Sequence, residues 1–199
     1  MSDPFFEPYD EKFYNEQTSD RQAFEEAQLA FAIHKVLRPI SVVDVGCGRG
    51  VMLQAFGRCE CVLQGFEAPL PIKFLIPEGL VTKVDLRNPI ALRKIAQTTP
   101  DVMLNLEVCE HLPKKDAEAL IKAMCDSSAT HIVFSGACVG QGGTGHINEQ
   151  PREYWGNQFI KNGRKFRGDI IERISMEWYA SIGKVERCWW FPINLMVFK

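Results

Sequence analysis

Residues 42–50 of the chain read VVDVGCGRG, a short valine-rich run that leads directly into three glycines. Residues 40–45 predict a buried parallel strand, and residues 51–56 predict the first turns of a helix. Glycines between a strand and a helix let the chain turn tightly and let its backbone approach a ligand. This stretch therefore predicts a strand, a ligand-binding loop and a helix, the opening unit of an α/β fold.

The rest of the chain continues this alternation of strands and helices. Further strands are predicted at residues 61–66, 80–84, 101–106 and 131–135, and helices at residues 21–37, 89–97, 114–127, 151–162 and 169–181. Such alternation predicts a Rossmann-like, mostly parallel sheet with helices on both faces. Residues 184–190 and 194–198 predict two last strands around Phe191-Pro192, and so short a connection makes them an antiparallel hairpin.

The bulk composition is that of an ordinary globular chain. Its 199 residues carry a formal net charge of −2 and seven cysteines, and no apolar run is long enough to span a bilayer. We expect a cytoplasmic protein with reduced cysteines, no membrane attachment and no overall attraction to nucleic acid. We expect residues 20–199 to form one domain, and residues 1–19, rich in aromatic rings and acids, to form an irregular arm.

Acidic residues stand at three successive strand ends, as Asp44, Glu67 and Asp85. Ligands of open α/β sheets bind at the carboxyl ends of strands, where an acid after the second strand accepts from ribose hydroxyls. The loop lacks the glycine that a dinucleotide fingerprint needs at Val51, and Asp44 would repel a pyrophosphate. S-Adenosylmethionine has no phosphate and carries an ammonium and a sulfonium, so these acids favour it over NAD. Asp85 is placed to accept from the adenine amino group, with Leu86 against the ring.

With these residues the chain resembles the class I S-adenosylmethionine-dependent methyltransferases. Residues 42–50 look like the first motif of that family, and residues 65–67 look like the segment that holds the ribose. Residues 105–112, NLEVCEHL, look like the fourth-strand motif of the branch that includes ubiquinone-biosynthesis methyltransferases. Residues 189–198 are similar to the closing hairpin of small methyltransferases associated with glycan or secondary-metabolite modification.

The resemblance implies a class I methyltransferase sheet, and it places Leu106 and Glu107 beside the methionine part of the cofactor. Together with the residues of the loop and the strand ends, these two complete the expected cofactor site. The residues expected to bind S-adenosylmethionine are Asp44, Gly46, Cys47, Gly48, Gly50, Glu67, Asp85, Leu86, Leu106 and Glu107.

Transfer of a methyl group to a hydroxyl needs an aligned acceptor and a general base, for which histidine is the commonest side chain. His111 follows the fourth predicted strand, and His146 follows the glycine-rich residues 136–145 after the fifth strand. Both positions come after the carboxyl ends of strands, so we expect His146 and His111 to be the catalytic residues. The expected acceptor is a small molecule or a sugar.

Two alternatives stay open. Glu107, Glu110, His111 and His146 resemble the divalent-metal site of the small-RNA 3′-terminal 2′-O-methyltransferases, a pattern that metal-free members share in part. The mild net charge and the lack of an appended RNA-binding region disfavour an RNA substrate, so no metal is expected. A catalytically silent S-adenosylmethionine-binding partner subunit would need the same loop and acids, whereas a dehydrogenase is disfavoured by the loop spacing.

Overall fold

One six-stranded sheet organises the computed structural model, which describes residues 4–9, 11–17 and 19–199. The strands are β1 (Ser41–Val45), β2 (Val62–Glu67), β3 (Val81–Lys83), β4 (Val102–Leu106), β5 (His131–Ser135) and β6 (Met196–Phe198). Their order is β3-β2-β1-β4-β5-β6, with β1 to β5 parallel and β6 antiparallel to β5. The order reverses between β1 and β4, and open α/β sheets bind ligands in the crevice at that point.

The described residues form eight α-helices and three short 3-10 turns. The helices are α1 (Glu11–Gln17), α2 (Asp20–Leu37), α3 (Val51–Gly57), α4 (Pro89–Ala96), α5 (Lys114–Asp126), α6 (Arg152–Lys161), α7 (Gly168–Ile182) and α8 (Phe191–Asn194). The 3-10 turns are Pro4–Phe6, Glu78–Leu80 and Cys109–His111. Among these helices we find none with the length and apolar character that a membrane crossing requires.

Alternate side chains of the strands face two separate cores. Val42 and Leu104 pack with α2, α3 and α7 on one face of the sheet. Val43 and Met103 pack with α4, α5 and α6 on the other face. This arrangement confirms the predicted α/β fold, a mostly parallel sheet with helices on both faces and an antiparallel strand at the C-terminus.

The predicted strand at residues 184–190 is wrong. The backbone N–H groups of Glu186, Arg187 and Cys188 donate to the Glu25 carboxylate of α2, at 2.8, 3.1 and 2.8 Å. These bonds use donors that a strand would need for its ladder, so the segment runs as an irregular loop into α8. The last strand, β6, therefore pairs with β5 and not with a neighbouring hairpin strand.

The N-terminal arm holds more regular structure than the sequence predicts. Residues 4–6 form a 3-10 turn and α1 covers residues 11–17, whereas residues 1–3, 10 and 18 of the predicted arm lie outside the described residues. The Tyr9 and Phe13 rings meet edge to face at 5.1 Å. Tyr14 is buried and its hydroxyl donates to Glu67 at the end of β2, so the arm covers the carboxyl edge of the sheet.

Candidate active site

The glycine loop connects β1 to α3 where the strand order reverses. Gly46 has a φ of +79°, and a Cβ there would lie 2.5 Å from Val108 Cγ2, so no larger residue fits without a shift. The backbone N–H groups of Gly46 and Cys47 donate to Phe66 O, at 2.8 and 3.1 Å. The loop is therefore tied to the end of β2, which also carries the next acid of the predicted site.

Glu67 ends β2 with a carboxylate that is almost fully buried. It accepts hydrogen bonds from Gly48 N, from Ala68 N at 2.8 Å and from Tyr14 OH at 3.5 Å. Burial nevertheless raises its pKa above the ordinary value. The predicted ribose ligand is thus fixed between the glycine loop and α1.

A first cavity of about 110 Å³ lies between Glu67 and the N-terminal arm. Asp85 and Leu86 line it, at the places expected for an adenine site. Asp85 already has a partner that the sequence did not reveal, because Arg87 donates to it from Nε at 3.0 Å and Nη2 at 2.7 Å. The Arg87 guanidinium lies 3.9 Å from the centroid of the Phe5 ring, so the pair joins the arm to this cavity.

A second cavity of about 130 Å³ lies on the other side of the loop, beside α2. The predicted cofactor residues that line it are Asp44, Gly46, Cys47, Gly48, Leu106 and Glu107. The Asp44 carboxylate is 4% exposed and accepts no hydrogen bond from the described residues. Burial, and then the charges of Glu67 and Glu26, raise the pKa of Asp44 to about 8.

A buried carboxylate without a partner is costly, and a cation relieves that cost. The ammonium and sulfonium of S-adenosylmethionine are such cations, so the residues of the second cavity fit this cofactor. Gly50, also predicted to bind it, lines neither cavity. Its N–H donates to Cys47 O at 2.9 Å just before α3, so Gly50 forms the turn between the glycine loop and that helix.

A third cavity of about 390 Å³ opens toward the glycine-rich loop after β5. Both predicted catalytic residues, His111 and His146, line it, together with the aromatic rings of Phe13, Trp189 and Trp190. No lysine or arginine is among its described lining residues, so this wall lacks the side chains that most often bind a phosphate or carboxylate.

Glu107 borders all three cavities. It follows β4 with a φ of +54°, a left-handed conformation that costs a non-glycine residue about 1–2 kcal/mol. Its N–H donates to Ser135 O at 3.0 Å, and its carboxylate accepts from Gln141 Nε2 at 2.6 Å and Asn194 Nδ2 at 3.2 Å. Backbone strain of this kind is concentrated at functional sites, which agrees with the position of Glu107 where the cavities meet.

His146 is oriented by a hydrogen bond from Nδ1–H to Oε1 of Glu149, at 2.9 Å. Glu149 also accepts from the backbone N–H groups of Gly140 and Gly142, each at 2.7 Å. The bond from His146, followed by those from the two amides, lowers the pKa of Glu149 below its ordinary value. A Cβ on Gly143 would clash with the imidazole, so the glycine-rich loop fits closely around this ring.

His111 has a different environment. Its Nδ1 lies 3.0 Å from Tyr9 OH, and its ring meets the His146 ring edge to face at 4.8 Å. Burial, and then the neighbouring His146, lower the pKa of His111 to about 4, so its imidazole is neutral at pH 7.

Glu110 is fully buried beside the two histidines. Neither of its carboxylate oxygens has a hydrogen-bond partner among the described residues, and burial together with the charge of Glu107 raises its pKa well above the ordinary value. Ligand atoms of Glu110, His111 and His146 lie within 4.8 Å of one another, close enough to hold a metal ion. Glu107, the fourth residue of the pattern seen in the sequence, is not part of this group, and its carboxylate accepts from Gln141 and Asn194.

The sequence did not reveal the cavity residues Glu26 and Trp190, nor Glu149, which holds His146 at the third cavity. Glu149 stands three positions after His146, and a carboxylate at that spacing was a usable signal. Glu26 lies on α2 among residues that read as a solvated helix face, and Trp190 belongs to the segment expected to be a strand. No local pattern distinguishes either of them.

Comparisons with known proteins agree with this architecture. The sequence profile of a family described as "Methyltransferase domain" matches residues 14–173. A ubiquinone biosynthesis O-methyltransferase from Nitrosococcus oceani is 33% identical over an alignment of 88 residues, which covers 40% of this chain and 36% of that protein. The match thus spans about a third of the length of this curated relative.

Solved structures share the fold at low sequence identity. A SAM dependent methyltransferase from Archaeoglobus fulgidus gives a TM-score of 0.64 at 21% identity, covering 80% of this chain and 76% of that one. The methyltransferase domain of bacterial CtHen1-CN gives a TM-score of 0.54 at 18% identity, covering 72% of this chain and 87% of that one. The mitomycin 7-O-methyltransferase MmcR gives a TM-score of 0.60 at 16% identity, covering 81% of this chain and 53% of that one.

Proposed function

This chain belongs to the class I S-adenosylmethionine-dependent methyltransferases, and from that premise we propose that it methylates a hydroxyl group of a small-molecule or sugar acceptor. The glycine loop, Asp44 and Glu67 hold S-adenosylmethionine across the first and second cavities. The third cavity receives the acceptor. The observation that carries the proposal is that His146, at the wall of that third cavity, is held by a hydrogen bond to Glu149.

In this proposal His146 is the general base. The bound cofactor supplies a methyl group that its sulfonium has already activated. Nε2 of His146 takes the proton of the acceptor hydroxyl, while Glu149 holds Nδ1–H and stabilises the imidazolium that forms. His111 stays neutral and, with Tyr9 on its Nδ1, forms the adjoining wall.

An oxygen nucleophile and an uncharged acceptor are each supported by a separate observation. A hydroxyl is a weak nucleophile until it loses its proton, and the His146–Glu149 pair is suited to that step. The described wall of the third cavity has no lysine or arginine, which disfavours phosphorylated and RNA acceptors. The names of two similar proteins, the ubiquinone biosynthesis O-methyltransferase and the mitomycin 7-O-methyltransferase, also favour oxygen.

The test is conversion of S-adenosylmethionine to S-adenosylhomocysteine in the presence of panels of phenols and of neutral glycosides. We expect turnover with at least one panel, and a loss of about 100- to 10,000-fold in His146→Ala. Affinity for S-adenosylhomocysteine should not change in that variant, because His146 lines only the acceptor cavity among the three.

His34→Ala is the matched control, because His34 lies on α2 and lines none of the three cavities. Full turnover in His146→Ala would remove the base from the proposal. Intact cofactor binding with no turnover on either panel would favour a catalytically silent subunit.

A second candidate function is metal-assisted O-methylation. It is favoured by the buried carboxylate of Glu110, which accepts no hydrogen bond from the described residues and lies 4.0 Å from Nε2 of His146. Glu110, His111 and His146 would hold a divalent ion, which would lower the pKa of an acceptor hydroxyl and orient it. In that case His146 is a ligand and not a base. Both imidazoles are suitable ligands when neutral, as His111 is.

Titration calorimetry with Mn²⁺, Co²⁺ and Zn²⁺, followed by the turnover assay with EDTA, distinguishes the two candidates. Binding that Glu110→Gln abolishes, together with activity that EDTA removes, would support the metal. Turnover that survives EDTA would return the general-base role to His146.

A further inference from the structure

The wall of the second cavity carries more negative charge than its own residues neutralise. Glu26 on α2 lines this cavity with Asp44, and Gln22 Nε2 donates to Glu26 Oε1 at 3.0 Å. Glu26 Oε2 accepts no hydrogen bond from the described residues, and neither does the Asp44 carboxylate. Arg49 is the one cation among the described lining residues, and it donates to Lys73 O at 2.9 Å and Asn15 Oδ1 at 2.8 Å.

One residue that lines the same cavity, Trp190, has an unsatisfied donor. The indole Nε1–H of Trp190 is buried and has no acceptor among the described residues. A buried donor without an acceptor costs about 1–3 kcal/mol, so a native structure usually supplies a partner. Trp190 borders both the second and the third cavity, next to α8.

Two bare carboxylates and one bare N–H donor match the two ends of an α-amino acid. An ammonium offers donors to the carboxylates, and a carboxylate accepts from the indole. We propose that Glu26 binds the ammonium and Trp190 binds the carboxylate of the amino-acid end of S-adenosylmethionine, with Asp44 beside Glu26. This assignment goes beyond the proposed function, since it depends neither on the acceptor nor on His146.

Neither residue belongs to the glycine loop or to the strand ends. Glu26 reaches the cavity because α2 packs against α3, the helix that follows the loop. Trp190 reaches it because Glu25, the neighbour of Glu26, holds the backbone of Glu186, Arg187 and Cys188 just before it. The two adjacent acids of α2 therefore bind different groups: Glu25 binds the backbone of the loop before α8, and Glu26 binds the ligand.

Proton release offers a readout that a purely structural role would not change. Burial is the first cause that raises the pKa of Glu26, to about 7. A bound ammonium favours the ionised carboxylate, so binding near pH 7 releases a proton from this wall. The titratable groups that line the cavity with Glu26 are Tyr14, Asp44, Cys47, Arg49 and Glu107. Glu25 is beside it on α2, Cys188 lies near it before α8, and Glu67 lies beyond Asp44.

The experiment is titration calorimetry of three ligands. S-Adenosylhomocysteine has the whole amino-acid end, deaminated S-adenosylhomocysteine keeps the carboxylate alone, and methylthioadenosine has neither group. Glu26→Gln should weaken S-adenosylhomocysteine about 10- to 100-fold and leave the other two unchanged. Trp190→Phe should weaken the first two ligands about 10-fold and leave methylthioadenosine unchanged.

Glu172→Gln is the matched control, an exposed acid of α7 that lines none of these cavities. Glu26→Gln should also reduce the proton release measured in buffers of different ionisation enthalpy, which the control should not do. Equal weakening of all three ligands, or of none, would overturn the assignment. If Trp190→Phe fails to fold, the contrast between the ligands in Glu26→Gln and its proton release decide the matter.

Discussion

Glu25→Gln is the change that best tests why residues 184–190 form a loop. In the folded protein the Glu25 carboxylate is fully buried and accepts from three backbone amides and from Arg21 Nε at 2.8 Å. Burial alone would raise its pKa, but the amides of Cys188, Glu186 and Arg187 outweigh burial and the pKa lies below the ordinary value.

The expected loss of stability follows from those contacts. A glutamine keeps the shape, but it loses the charge and turns an NH₂ group toward at least one amide. Glu186 and Arg187 are exposed and their amides can turn to water, whereas Cys188 is buried and its amide cannot. Weakened charge-assisted bonds and one unsatisfied amide together cost about 3 kcal/mol. That corresponds to about 6–12 °C in Tm for a chain of this size.

Urea unfolding followed by circular dichroism measures this loss, and Trp189 and Trp190 should show a red-shifted, more solvated fluorescence. Because the folded pKa of Glu25 is lowered, its contribution is complete at neutral pH and disappears as the pH falls below about 4. The difference between wild type and variant should therefore shrink in acid. A variant within about 0.5 kcal/mol of wild type at pH 7 would refute this account of the loop.

Three further predictions concern the cavities. In Gly46→Ala the new Cβ would clash with Val108, and the residue would have to adopt a positive φ. The free energy of unfolding, measured by urea unfolding, should therefore fall by about 2–4 kcal/mol. Affinity for S-adenosylhomocysteine, measured by calorimetry, should fall at least 10-fold. Gly143→Ala should reduce turnover and leave that affinity unchanged, because its Cβ displaces the imidazole of His146; equal effects on both would contradict this. The pKa of Glu26 is about 7, so affinity for S-adenosylhomocysteine should increase as the pH rises through that pKa, and it should increase less in Glu26→Gln than in wild type. Identical pH profiles of affinity in the two proteins would exclude a role for that carboxyl.

The parts of the site that the sequence predicts are those set by chain order alone. Asp44, Glu67 and Asp85 each lie at or just beyond the carboxyl end of a parallel strand, and such strand ends meet at one edge of the sheet. The glycine loop is readable for the same reason, since a tight turn between strand and helix needs residues that tolerate positive φ. These local rules sufficed to predict the fold and the cofactor.

The other parts depend on contacts between distant segments. The loop at residues 184–190 has a valine, a cysteine and two tryptophans that suit a strand, but Glu25, more than 160 positions away, binds its amides. Glu26 has the same residue type as any solvated helix acid, and only the packing of α2 on α3 brings it to the cavity. The pairing of Asp85 with Arg87 and the strained φ of Glu107 likewise depend on the assembled structure.

The most direct test of the central claim is a thermal-unfolding comparison of S-adenosylmethionine, S-adenosylhomocysteine and NAD. A ligand that binds the folded state at 100 times its Kd adds about 2.7 kcal/mol, which is about 5–10 °C in Tm for this chain. Both adenosyl ligands should produce such a shift, and NAD at the same concentration should produce none. A shift with NAD and none with S-adenosylmethionine would contradict the assignment of this cleft.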